Sequence, residues 1–79
     1  FMMDYTRHIP KGMLANRFKV LESHVSSFTA GETVYQVRER PETLLIGHTF
    51  HKSLWFDRDT LECRSIEGDR LLVKVERIK

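Results

Sequence analysis

Leu61-Glu62-Cys63-Arg64-Ser65-Ile66-Glu67-Gly68-Asp69-Arg70-Leu71-Leu72-Val73-Lys74-Val75 carries the clearest structural signal in the chain. Leu61 and Cys63 alternate with Glu62 and Arg64, and Leu71, Val73 and Val75 are spaced two apart, with Lys74 and Glu76 as charged alternates. An apolar residue at every second position is the pattern of a strand with one face buried and one solvated. Glu67-Gly68-Asp69 between the two runs is turn chemistry, so the segment predicts a β-hairpin.

Its register follows from parity, because directly opposed residues share a face. A two-residue Gly68-Asp69 loop would set Ile66 opposite Leu71 and Arg64 opposite Val73, which puts a charge inside the apolar stripe. A three-residue Glu67-Gly68-Asp69 loop sets Ser65 opposite Leu71, Cys63 opposite Val73 and Leu61 opposite Val75. A five-residue loop keeps the same parity, so an odd-length connection is expected, with Leu61, Cys63, Leu71, Val73 and Val75 on one buried face.

Upstream the same grammar continues. Arg17 to Glu22 reads as a first strand with Phe18 and Val20 on one side and Arg17 and Lys19 on the other, although Leu21 breaks the alternation. Ser23 to Gly31 is a loop in which Val25 and Phe28 are expected to fold back over the core. Glu32 to Glu39 is a second strand around Val34, Tyr35 and Val37. Arg40-Pro41-Glu42-Thr43 is a tight connection, since Pro presets φ for the second turn position. Thr43 to Phe50 returns antiparallel, with Leu44, Ile46, His48 and Phe50 on one face and Leu45, Gly47 and Thr49 on the other. His51-Lys52-Ser53 interrupts the run, Leu54-Trp55-Phe56 resumes it, and Asp57-Arg58-Asp59-Thr60 turns again. The expected core face is Leu44, Ile46, Phe50, Leu54 and Phe56, with Trp55 on the outer face.

Short strands separated by turn signals at this spacing predict a mainly β fold. It is a small antiparallel β-barrel or sandwich, SH3-like or OB-like in size, of five to six strands with an irregular N-terminal arm. The division is a basic arm over 1–16 and a single β-rich domain over 17–79. The 79 residues make one domain near the lower end of what folds alone, burying roughly 60% of the surface of its unfolded chain. One cysteine, Cys63, excludes an intramolecular disulfide and fits a reducing compartment. No apolar run approaches the ~20 residues that span a bilayer. Phe1-Met2-Met3-Asp4 lacks the basic and apolar regions of a signal peptide, so a cytoplasmic location is expected.

The net charge of +2, from 13 Lys and Arg against 11 Asp and Glu, does not by itself argue for a polyanion partner. Its distribution is more informative: Arg7, Lys11, Arg17 and Lys19 stand against Asp4 alone in residues 1–19, a local balance of +3.

The chemistry-bearing residues do not assemble a reaction centre. His48 and His51 lie three apart, on opposite faces of a continuous strand, and no zinc-ligand spacing joins them to Cys63, His24 or His8. Ser23-His24 is not a catalytic arrangement, since adjacent residues do not form a triad. Cys63, alternating with charges on a strand, is expected to be a buried and inert thiol. Gly12, Gly31, Gly47 and Gly68 stand singly, without the spacing of a phosphate loop. Neither enzyme activity nor a metal or other cofactor is expected.

What remains is a basic and aromatic mixture. It comprises Phe50, His51, Lys52, Trp55 and Arg58, with Tyr35 and Arg38 on a neighbouring strand. The basic residues Arg7, Lys11, Arg17 and Lys19 would contact phosphates and the Trp55 region would contact bases, while Phe50 is set against its competing place in the core. The leading expectation is thus a non-enzymatic small binding module for nucleic acid. The alternative is a protein-interaction module or small regulator that docks on a larger protein through a sheet edge or the Trp55 patch. A homodimer formed by paired edges or apolar faces is compatible with both.

Overall fold

The computed structural model describes residues 16–78. The basic arm, with Arg7 and Lys11, therefore lies outside the described residues except for Asn16. Six strands follow in order: β1 (Arg17–Ser23), β2 (Thr33–Glu39), β3 (Thr43–Gly47), β4 (Ser53–Asp57), β5 (Glu62–Arg64) and β6 (Leu71–Arg77). All pairings are antiparallel and the sheet order is β4-β3-β2-β1-β6-β5. Each strand thus lies beside a sequence neighbour, except that β1 also pairs with β6. The result is a six-stranded meander curled into a nearly closed barrel, with one open seam between β4 and β5.

The interior is formed by the residues that alternate inward: Phe18, Val20, Val34, Leu44, Ile46, Phe56, Cys63, Val73 and Val75. Full burial of each large aliphatic or Phe side chain is worth about 1.5–3 kcal/mol. Phe28, from the β1–β2 loop, is buried with them, and Val25 packs alongside. The loop closes one end of the barrel, with the Phe28 ring 6.1 Å from Phe56 and 5.3 Å from His48. Leu54, Leu61 and Leu72 pack at the margin.

Three β-bulges bend the sheet, as a small barrel requires. On β1 the register shifts between Val20, opposite Val75, and Glu22, opposite Lys74, leaving Leu21 as the extra residue. That bulge explains why Leu21 breaks the alternation and stands exposed. On β2 the extra residue is Val37, between Gln36, opposite Ile46, and Arg38, opposite Leu45.

The third bulge corrects the hairpin. Ser65 N–H donates to Arg70 C=O at 2.8 Å, closing a four-residue turn over Ile66 to Asp69 rather than an odd-length loop. Gly68 and Asp69 take positive φ of 78° and 49° there. An even loop alone would put Cys63 opposite Leu72. The register shift between Cys63 and Arg64 restores Cys63 opposite Val73, and Val75 N–H reaches Leu61 C=O at 3.1 Å. Burial of the apolar stripe thus set the register, and the bulge made it compatible with the turn.

A second correction concerns β3, which ends at Gly47 rather than continuing to Phe50. Gly47 lets the chain fold back: a Cβ there would sit 2.0 Å from Lys52 O and 2.4 Å from Ser53 Cα. Beyond it His48 N–H donates to Lys52 C=O at 2.9 Å, and Lys52 N–H bonds both the C=O and Oγ1 of Thr49. Phe50 therefore lies in a hairpin loop and is 39% exposed instead of joining the core.

Candidate functional site

The outer wall of β2, β3 and β4 carries a second apolar cluster: Val37 and Leu45 are buried, with Tyr35 and Trp55 packed over them. Leu45 is directly opposite Trp55 on one side and Arg38 on the other. Trp55 is thus on the outer face, as strand parity predicts, and is half-buried. The bulge at Val37 matters here, because strict alternation would set Arg38 on the face opposite to Val37. With one residue added, Val37 and Arg38 both lie on the outer side, and Arg40 follows them.

Guanidinium groups cover two of the aromatics. Arg40 Cζ lies 4.1 Å from the Trp55 ring centroid and Arg38 Cζ 4.5 Å from that of Phe50. Phe50 also stacks on His51, with centroids 5.7 Å apart and planes at 30°. At exposed sites a cation–π contact is worth about 0.5–1 kcal/mol, enough to orient side chains that stay solvated. Arg17 is opposite Tyr35 on the same face, and Lys19 beyond it is opposite Thr33 and Glu76. Arg17, Lys19, Arg38, Arg40 and Lys52 are all exposed. One side of the barrel is therefore cationic, with aromatic rings set among the charges.

The expected site residues divide accordingly. Arg17, Lys19, His51, Lys52 and Trp55 lie on this face or at its loop. Arg58 belongs elsewhere: its Nη2 bonds Glu39 Oε2 at 3.2 Å and Arg40 C=O, its Nε donates to Pro41 C=O at 3.1 Å, and its backbone N–H donates to Glu42 C=O. Arg58 is a brace between the β4–β5 and β2–β3 turns. Arg40 is the residue that sequence reasoning misses, and Phe50 is the one it weighs beside His51 but places in the core. Alternation carried past Gly47 points Phe50 inward, whereas β3 ends there, and Arg40 changes face only through the bulge.

The other side of Trp55 is of mixed charge. The open seam forms a groove of about 360 Å³ lined by Thr43, Trp55, Asp57, Thr60, Glu62, Arg64 and Asp69. Asp57 Oδ1 accepts from the N–H groups of Asp59 (2.8 Å) and Thr60 (3.0 Å). These bonds hold its carboxyl below the ordinary aspartate range. Leu61 N–H then donates to Asp57 C=O at 2.9 Å, and Leu61 takes a φ of 57° that a bulky residue rarely adopts. This Asx turn reverses the chain and sets the floor of the seam. Glu62 pairs with Arg64 at 3.1 Å and Lys74 at 3.6 Å.

At the capped end of the barrel, Glu32 Oε2 lies 3.0 Å from His48 Nε2 and its Oε1 accepts from Thr29 N–H. Burial pulls the Glu32 carboxyl up, but the bonds from His48 and Thr29 outweigh it and leave it below the ordinary value. These contacts anchor the β1–β2 loop to the end of β3. Cys63 is buried and unpaired with another cysteine, and burial pushes its thiol up, away from the reactive thiolate. Among the described residues no three His, Cys, Asp or Glu side chains converge as metal ligands, and no helix is long and apolar enough to cross a membrane.

A scan against family models, a search of curated proteins and a search of solved structures each return no match for this chain.

Proposed function

We propose that the protein is a non-enzymatic binding module for single-stranded nucleic acid, and that the outer wall of β2–β4 is the contact surface. The observation that carries this reading is the interleaving of Arg38 with Phe50 and Arg40 with Trp55, beside Arg17 and Lys52. Single strands are held by stacking bases on exposed rings next to cations that track the phosphates, a mode that needs no base-specific hydrogen bonds. Phe50 and His51 form the exposed stacking platform, and Tyr35 and Trp55 form the flatter floor. Arg17, Lys19, Arg38 and Lys52 are the phosphate contacts.

A fluorescence titration of labelled single-stranded DNA and RNA at increasing salt tests this. Four phosphate contacts predict that log K falls with log salt with a slope of about −3, taking about −0.7 per contact for single strands. Arg38→Ala should weaken binding and flatten that slope by about one contact, while Phe50→Ala should weaken binding with the slope unchanged. No binding at low salt would refute the reading, as would binding indifferent to salt.

A further inference from the structure

The loop that carries Phe50, His51 and Lys52 is held from two sides. On the outer wall the Arg38 guanidinium lies over the Phe50 ring. Beneath it, His48 N–H donates to Lys52 C=O at 2.9 Å as the last rung of the β3–β4 ladder, and Ser53 Oγ donates to Phe50 C=O at 2.7 Å. These bonds shape the loop itself. The His48 side chain ties it to the barrel. Alternation from Leu44 and Ile46 turns the imidazole inward. There its ring centroid is 5.3 Å from that of Phe28, and its Nε2 is 3.0 Å from Glu32 Oε2.

Glu32 is the fixed member of this pair. Its Oε1 accepts from Thr29 N–H at 2.6 Å, its backbone N–H donates to Thr29 C=O at 3.2 Å, and its C=O accepts from Val20 N–H at 2.9 Å. Side chain and backbone are therefore both held, at the entry to β2. The imidazole has less choice. His48 Nδ1 is buried and has no hydrogen-bond partner among the described residues. A proton on Nδ1 would be a buried, unpaired donor, so the neutral ring carries its proton on Nε2 and donates it to the Glu32 carboxylate. That charge-assisted bond fixes which way the ring faces, and with it the residue from which the loop springs.

We propose that Glu32 is a positioning residue for the stacking platform: by fixing the His48 imidazole it sets where the β3–β4 loop holds Phe50 and His51, and itself touches no ligand. This rests on the reading of the outer wall as a single-strand contact surface. It gives the β1–β2 loop, at the capped end of the barrel, a part in binding. Charge and positioning predict opposite signs. Glu32 is an anion on a barrel whose outer wall takes phosphates, so by Coulomb's law alone its neutralisation tightens oligonucleotide binding. Loss of positioning weakens it.

The experiment titrates a labelled oligothymidylate of about twelve nucleotides into the full chain and its variants, with a thermal melt and an amide ¹⁵N spectrum of each free protein. Glu32→Gln should weaken binding about fivefold, the worth of one hydrogen bond, at unchanged salt slope. His48→Leu keeps an apolar contact with Phe28 but cannot donate, so it should fold and bind as weakly as Glu32→Gln. The two substitutions together should cost no more than either one, since both remove the same bond. His48→Gln places an amide N–H near the position of Nε2–H and should bind within about twofold of the unsubstituted protein. A loss of stability alone would not follow the donor in this way. In the free proteins the Phe50 and His51 amides should shift in Glu32→Gln and His48→Leu and return in His48→Gln, while that of Lys19 stays. The proposal is overturned if folded Glu32→Gln binds as tightly as the unsubstituted protein or more tightly, or if His48→Gln and His48→Leu bind alike. If Glu32→Gln does not fold, the two His48 variants decide alone. Absence of binding by the unsubstituted protein would refute the single-strand reading instead. The free-protein spectra then decide, and Phe50 and His51 amides unmoved in both weakened variants would overturn the positioning role.

Discussion

The guanidinium of Arg40 lies over the ring of Trp55, 4.1 Å from its centroid, and the backbone carbonyl of the same arginine accepts a bond from Arg58. Trp55 therefore stands where two surfaces meet, with the cationic outer wall on one side and the seam of mixed charge on the other. Because it is the only tryptophan, its fluorescence reports on both. Arg40→Ala should uncover the ring and shift its emission to longer wavelength, with little loss of stability (about 0.5–1 kcal/mol). Unchanged emission would mean that Arg40 does not cover Trp55 in solution.

Gly47 has no room for a side chain in the β3–β4 hairpin. The atoms a Cβ would strike are backbone atoms of Lys52 and Ser53, which cannot rotate aside. Gly47→Ala should destabilise the fold by about 3 kcal/mol or more, a large share of what so small a core provides. Urea denaturation measures this directly, and a midpoint equal to that of the unsubstituted protein would contradict the hairpin geometry.

Acid should loosen the two loop anchors. Both Glu32 and Asp57 have folded-state values below their ordinary ones. Their contribution is thus fully present above the ordinary carboxylate range and is lost as pH falls through the lowered values. Stability is expected to be flat from neutral pH to about 5 and to decline below it. In Asp57→Asn the acid decline should be shallower, because one of the two titrating anchors is gone. Thermal melts between pH 3 and 7 check this, and an identical decline in the variant would remove Asp57 from the account.

Cys63 should be chemically silent while the barrel is folded. Its side chain is part of the core and burial raises its thiol. Modification by a thiol reagent at neutral pH is expected to follow global unfolding, so that Gly47→Ala accelerates it in step with its lost stability. Rapid labelling of the unsubstituted protein would place Cys63 outside the core.

Legibility in the sequence followed the range of the interaction responsible. Strand positions and inward faces are matters of local alternation. Phe18, Val20, Leu44, Ile46, Phe56, Cys63, Val73 and Val75 were therefore readable from spacing two, as was Trp55 on the outer wall. Where alternation failed, at Leu21, the failure itself marked a bulge. Phe50 was misread because a one-dimensional pattern does not show that the chain turns at Gly47, where the constraint is a clash with residues five and six positions later.

The sequence by itself determined that this chain is a small antiparallel β protein with a known buried face, because a two-residue period and turn chemistry act over a few residues. Tertiary structure alone decided which loops the hairpins use, through bulges that keep the buried stripe in register. It also decided that Arg38 and Arg40 join the aromatics on one wall while Arg58 is withdrawn as a brace. Closure of β1 onto β6 left β4 and β5 facing each other unpaired, with the acids of three separate segments gathered at Trp55. Those juxtapositions come from pairing between residues distant in the chain, which no local pattern specifies.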